Sequence, residues 1–214
     1  LTKKKIKKTI FDKICLGTGE LLKDNIQERI EVFKKFFSDG GRLVDTARIY
    51  HDGKSLKIIK KLNLKFNLIA KPSYLKKDKN TSINKKFIEY KKLCGINKID
   101  FFITHWPNEK ISKKKINQFL SLKNDQKLEN IGIGNARFED IKIFHKFSNK
   151  NLNAIEIELN IFNFFFQKKI LSFCKKNNIK VFGYSPVRWC KFKSFNNSSK
   201  IILSKISKKY GLNS

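Results

Sequence analysis

Hydrophobic positions along the chain of 214 residues follow two alternating patterns. Short runs rich in β-branched and aromatic residues predict strands at about 13–16, 42–46, 67–71, 99–105, 130–135, 153–160 and 180–185. Longer stretches with apolar residues three and four apart predict helices at about 26–38, 54–63, 82–94, 112–123, 137–148, 166–178 and 197–210. Several of these carry their own punctuation. Gly40 and Gly41 end the first helix, Gly95 follows the third, and Ser112 caps the fourth. A strand and a helix recurring about every 30 residues predict an α/β fold with a parallel sheet. No interdomain linker interrupts the pattern, so residues 1–214 read as a single domain.

The three prolines sharpen this picture. Pro72, Pro107 and Pro186 each follow a predicted strand, where a residue without an N–H can stop a ladder. Each also has a titratable or aromatic neighbour: Lys71, His105 with Trp106, and Tyr184 with Ser185. In a barrel of parallel strands the C-terminal ends converge on one rim, where active sites are built.

Charge changes the picture less than its size suggests. Forty-eight Lys and Arg against 18 Asp and Glu give a formal net charge of +30. Arg occurs only at Arg29, Arg42, Arg48, Arg137 and Arg188, so nearly all the cations are Lys, scattered along the chain. Base-reading and phosphate-clamping surfaces favour the bidentate Arg fork, so no specific nucleic-acid partner is expected. With 40% hydrophobic residues the chain can bury a core, and no apolar run reaches the ~18 residues of a membrane span. A cytoplasmic protein without membrane association is expected.

Cys15, Cys94, Cys174 and Cys190 lie far apart, without metal-ligand spacing, and read as buried free thiols; no metal is expected. His51 and His145 read as surface residues, and the run Phe164, Phe165 and Phe166 as packing of a helix against the sheet. The chain opens on Leu1, and we expect it to be an excerpt of a longer reading frame.

The strand ends carry an ordered chemical series: Asp45 and Tyr50, then Lys71, His105, Gly134 with Asn135, Glu156, and Tyr184 with Ser185. A buried ammonium beside a tyrosine hydroxyl favours phenolate and makes the tyrosine a better proton donor, while a carboxylate holds the ammonium charged. The corresponding reaction is proton delivery to a carbonyl oxygen as it gains negative charge.

These residues also carry a resemblance. Gly17-Thr18-Gly19, the run from Val44 through Asp45 to Tyr50, Ile69-Ala70-Lys71-Pro72, Ile103-Thr104-His105-Trp106-Pro107, the run Ile131 to Asn135, and Gly183-Tyr184-Ser185-Pro186 resemble the successive signatures of the aldo-keto reductases. The resemblance implies a (β/α)8 TIM barrel, here with about seven of eight strand-helix units. It implies an oxidoreductase that reduces an aldehyde, ketone or sugar-derived carbonyl with NADP(H), or alternatively NAD(H), without a metal. In that scheme Tyr50 is the general acid, Lys71 depresses its pKa, Asp45 pairs with Lys71, and His105 orients the carbonyl. Gly17, Thr18, Asp45, Gly134, Asn135, Glu156, Tyr184 and Ser185 bind the cofactor, Asn135 at the carboxamide and Tyr184 by stacking. Tyr50 and His105 meet the substrate, and Trp106 either lines its pocket or packs. The protein is expected to be a monomer or weak dimer acting on a small molecule.

Two positions depart from the family's pattern. Gly134 stands where Ser is common, and Glu156 where Gln is usual. A carboxylate accepts from a carboxamide NH2 but cannot donate to its oxygen, which weakens cofactor orientation. The alternative reading is a catalytically weakened, NADP(H)-binding sensor or regulatory subunit on the same barrel. The resemblance also implies an eighth strand and a cofactor-gripping loop beyond residues 200–211.

Overall fold

The structure is a computed structural model describing residues 13–21, 25–62, 65–72, 81–96, 98–106, 112–125, 128–186 and 196–211. Seven parallel strands run in chain order, each paired with its sequence neighbours: β1 (Cys15–Gly17), β2 (Leu43–Ala47), β3 (Asn67–Lys71), β4 (Ile99–Thr104), β5 (Leu128–Gly134), β6 (Ala154–Glu158) and β7 (Lys180–Tyr184). Among the described residues β1 and β7 are the two edges. The helices are α1 (Ile26–Ser38), α2 (Lys54–Lys61), α3 (Ile83–Cys94), α4 (Lys113–Asn124), α5 (Phe138–Phe147), α6 (Phe164–Lys176) and α7 (Asn197–Tyr210). A short 3-10 turn, Tyr50–Gly53, precedes α2.

Local chemistry sets these boundaries. Ser82 and Ser112 cap α3 and α4 by accepting from Lys85 N and Lys115 N, and Gly95 closes α3 in the left-handed conformation at φ 66°. Strand β6 ends at Glu158, not at Asn160 as the apolar pattern predicts. Asn160 folds the chain instead: its Oδ1 accepts from Phe162 N at 3.0 Å, and its own N donates to Asn163 Oδ1. Helix α6 accordingly begins two residues earlier than expected.

Successive residues of a strand face opposite sides, so each strand contributes to two interiors. Val44, Leu68, Ala70, Phe102, Ile131, Ile155 and Ile157 face outward into the main core with Phe33, Leu56, Phe87, Tyr90, Phe119 and Phe144 from the helices. The opposite parity puts Ile69, Ile103 and Ala154 in a smaller inner cluster, flanked by Cys15, Leu43, Phe101 and Phe182. The sheet is curled, not flat. Strands three apart in a flat sheet lie ~14 Å from one another, yet the rings of Phe101 on β4 and Phe182 on β7 meet at 5.0 Å.

Two sequence expectations fail here. The side chains of Phe164, Phe165 and Phe166 are 50%, 71% and 82% exposed, so they do not pack the helix onto the sheet. Consecutive helical residues are ~100° apart and cannot share one face, and α6 buries Ile170 and Cys174 instead. His145 is buried, not on the surface. It follows Ile141 by four residues on the inward face of α5 and stacks edge-on against Phe173 at 5.5 Å. His51 is half-buried, its Nε2 3.0 Å from Gly19 O. Cys94 and Cys174 are buried free thiols and Cys15 a half-buried one, whereas Cys190 and Pro107 lie outside the described residues. Helix α7 buries none of its residues and presents Ile201, Ile202, Ile206 and Tyr210 outward.

Candidate active site

The inner parity of the strands carries more than apolar side chains. On β2 it holds Leu43 and Asp45, on β3 Ile69 and Lys71, on β6 Ala154 and Glu156, and on β7 Phe182 and Tyr184. Curling of the sheet brings the polar ends together. Lys71 is 1% exposed, and its Nζ donates to Asp45 Oδ1 and to Glu156 Oε1, both at 2.7 Å. The second pair spans β3 to β6, a contact that only a strongly curled sheet permits.

Tyr50 and His105 flank this ladder. Lys71 Nζ lies 5.4 Å from the centroid of the Tyr50 ring, and the Tyr50 and His105 rings meet edge-on at 5.7 Å. Trp106 continues the line, 6.0 Å from His105 and half exposed. The chain after Tyr50 turns through three left-handed residues, His51, Asp52 and Gly53. Such a conformation is costly outside glycine and survives only where its surroundings hold it.

The Lys71 backbone is fixed as well as its side chain. Its carbonyl oxygen accepts from Arg48 N at 3.2 Å and from the buried Tyr90 hydroxyl of α3. Arg48 Nε in turn donates to Glu89 Oε1 on α3 at 2.6 Å. Thr18, fully buried, donates its hydroxyl to Thr46 Oγ1 at 2.8 Å, which ties the segment after β1 to β2.

Beyond the ladder lies a cavity of about 470 Å³, walled by Gly17, Asp45, Glu156, Tyr184, Ser185 and Pro186 among others. Asn135, left-handed at φ 52°, donates from Nδ2 to His105 O at 2.9 Å and accepts from the Tyr184 hydroxyl at 2.6 Å. Gly134 explains itself sterically. A Cβ there would be driven into the carbonyl oxygens of Thr104 and His105, so the close approach of β4 and β5 leaves no room for Ser.

Electrostatics follows from burial and the ladder. Burial pulls the Lys71 ammonium toward its neutral form, but Asp45 and Glu156 outweigh it and raise the pKa above the ordinary 10.5. Burial first, then Asp45, raises the Glu156 carboxyl above its ordinary value, against the pull of Lys71. His105 is lowered to about 4 by burial and by the Lys71 charge, so it is neutral near pH 7. Tyr50 is raised on balance: burial leads, Asp45 and Glu156 add to it, and Lys71 works against them. Lys71 therefore acidifies Tyr50 as the residue types imply, but the net shift is upward. Among the described residues, buried Asp45 Oδ2, Glu156 Oε2 and His105 Nδ1 have no hydrogen-bond partner.

Sequence reasoning groups Asp45, Tyr50, Lys71 and His105, and the structure brings all four together. It reads Glu156 only as a cofactor contact and misses it as the second partner of Lys71. The signal lay in the alternating run Ala154-Ile155-Glu156-Ile157-Glu158: a carboxylate on the inward parity of a buried strand requires a cation. Tyr90 had no comparable signal. Among the described residues no group of His, Cys, Asp and Glu could hold a metal ion, and no helix is long and apolar enough to cross a membrane.

Comparison with known proteins supplies the remaining findings. The profile of the aldo/keto reductase family matches residues 13–210. The 9,11-endoperoxide prostaglandin H2 reductase of Trypanosoma cruzi is 26% identical over 101 residues, which are 47% of this chain and 35% of that protein. The chain thus matches about a third of that relative's length. Among solved structures, a thermostable aldo-keto reductase crystallised with the inhibitor epalrestat superimposes with a TM-score of 0.79 at 21% identity, covering 92% of this chain and 76% of that one. A Klebsiella pneumoniae aldo/keto reductase in complex with NADP and acetate gives 0.77 at 14% identity, covering 92% and 71%. Both share the fold.

Proposed function

The chain belongs to the aldo/keto reductase family, and from that premise we propose that it reduces an aldehyde, ketone or sugar-derived carbonyl to the alcohol with NAD(P)H. One observation carries the reading: a fully buried ammonium ion-paired at the strand ends, with a tyrosine and a neutral histidine at its side.

The residues also fit a nicotinamide. Glu156 and Tyr184 both line the cavity, where a carboxylate can accept from a carboxamide NH2 and the tyrosine ring offers a flat face. Gly17, Asp45, Gly134, Asn135, Tyr184 and Ser185 would surround the ring, and Thr18 would act through its backbone. When bound, the cofactor supplies the hydride that reduces the carbonyl carbon.

Tyr50 gives its hydroxyl proton to the carbonyl oxygen as negative charge develops there. Lys71 stabilises the resulting phenolate until a proton from solvent restores it. Neutral His105 directs one ring N–H at the same oxygen without competing as an acid. Trp106 forms the outer wall of the substrate space. Strand-end geometry and the continuous core support one barrel domain spanning the chain.

Mixing the protein with NADPH or NADH and a panel of small aldehydes should consume the reduced cofactor. Tyr50→Phe should lower the rate at least ~100-fold while cofactor affinity, read by fluorescence quenching, stays within about twofold. Full activity in that variant would sink the assignment.

A further inference from the structure

The second carboxylate on Lys71 has a consequence for the proton donor. We propose that Glu156 is a positioning residue that acts on Tyr50 through Lys71. By holding the far side of the ammonium it divides that cation between two carboxylates, so that Tyr50 faces one more negative charge than positive. The inference rests on the reductase reading for its catalytic meaning, but not for its electrostatics.

The geometry is specific. Glu156 Oε1 and Asp45 Oδ1 each lie 2.7 Å from the same Nζ, and the second oxygen of each carboxylate is buried without a hydrogen-bond partner among the described residues. Glu156 itself is 6% exposed. A buried carboxylate held this way is either neutralised by the shared cation or protonated, and both states are felt by the groups around it. Those groups come from every neighbouring element. Asp45 on β2, Lys71 on β3, Tyr184 on β7, Cys15 on β1 and Tyr50 in the turn after β2 are all coupled to Glu156 or to its partners. Strand β5 contributes only Gly134 opposite Glu156, and His105 on β4 responds to Lys71.

The direction follows from charge alone. With Lys71 balanced by Asp45, the ladder is neutral and the ammonium acts on Tyr50 with little opposition. Ionised Glu156 adds a negative charge that disfavours the phenolate, so Tyr50 keeps its proton to higher pH. Carbonyl reduction, which needs the hydroxyl, is favoured over alcohol oxidation, which needs the phenolate as base. The site is thereby biased toward reduction at the alkaline side of neutrality.

The test follows Tyr50 directly, in the whole protein labelled with carbon-13 at the tyrosine ring, with Tyr50→Phe assigning the resonance. In Glu156→Gln the Tyr50 midpoint should fall by about one pH unit, a tenfold gain in acid strength. The alkaline limb of NADPH-dependent reduction should move down with it. Loss of rate at every pH with the limb unmoved is the signature of a purely structural role, and an unmoved Tyr50 midpoint overturns the proposal. Should Glu156→Gln fail to fold, the native protein decides: the Tyr50 resonance must show a minor step where the Glu156 carboxyl, followed in a second sample labelled with carbon-13 at the glutamate carboxyls, titrates. A Tyr50 signal blind to that ionisation also overturns it. If the protein turns over no carbonyl yet the midpoint shifts, the charge division stands and the reductase reading falls. Turnover without a shift leaves the reductase reading standing and overturns the charge division.

Discussion

The two faces of one sheet make opposite use of burial. Outward, Phe102 on β4 sits among the rings of Phe87, Tyr90 and Phe119 at centroid distances of 5.8, 5.9 and 5.7 Å, a contact set without charge in which the neutral Tyr90 hydroxyl is the one polar side-chain group. Inward, on neighbouring β3, Lys71 is as deeply buried but holds two carboxylates. Packing of the first kind stabilises in proportion to area removed from water. Burial of the second kind carries a desolvation cost that the ion pairs offset, so its return is a defined charge pattern more than stability. A fold of this type thus separates its two tasks by strand parity alone.

That contrast breaks most sharply on substitution of its two central residues. Phe102→Ala should cost about 3–5 kcal/mol in denaturant unfolding, and the cost should be flat with pH. Lys71→Met should cost a similar ~3–5 kcal/mol near neutrality, but with a strong pH dependence. Glu156, whose folded-state pKa is already raised, would be raised further without its cation. A raised carboxylate contributes stability that is fully present below its ordinary 4.5 and is lost as pH rises through the folded value. The Lys71→Met penalty should therefore shrink as the medium is acidified. Equal pH dependence in the two variants would erase the distinction.

A smaller effect sharpens the boundary between the faces. Gly134→Ser would force a side chain into the Thr104 and His105 carbonyls, at ~1–3 kcal/mol. Because Asn135 holds His105 O, the same change should displace His105 and lower turnover more than stability. A variant of native stability and rate would show that β4 and β5 can part freely. The smallest effect belongs outside both faces. Phe166→Ser, at an exposed position, should alter unfolding stability by no more than about 0.5 kcal/mol.

The sequence is legible to different depths in different places. Strand β3 and helices α1 and α7 lie where their apolar periods end, because residues 68–70 are apolar between polar flanks and the helices have caps. The end of β6 was not legible, since Asn160 stops the strand with side-chain hydrogen bonds that an apolar count ignores. His145 shows the same limit. One histidine between Phe144 and Lys146 reads as exposed until its four-residue spacing from Ile141 is given weight. For the site, Asp45, Tyr50, Lys71 and His105 were legible as a set of strand-end residues, while the pairing of Glu156 with Lys71 was not.

What the sequence determines by itself is what short-range geometry can carry. The period of two places Asp45, Lys71 and Glu156 on one side of their strands, and the alternation with helices makes those strands parallel. Tertiary structure alone decides which of these side chains meet. An ammonium on β3 reaches a carboxylate on β6 only because the sheet curls through the strands between them. It also decides the net acidity of Tyr50, because desolvation and the balance of three charges depend on distances between residues far apart in the chain. Backbone periodicity is local and repeats every few residues, whereas electrostatic environment is a sum over everything the fold packs nearby.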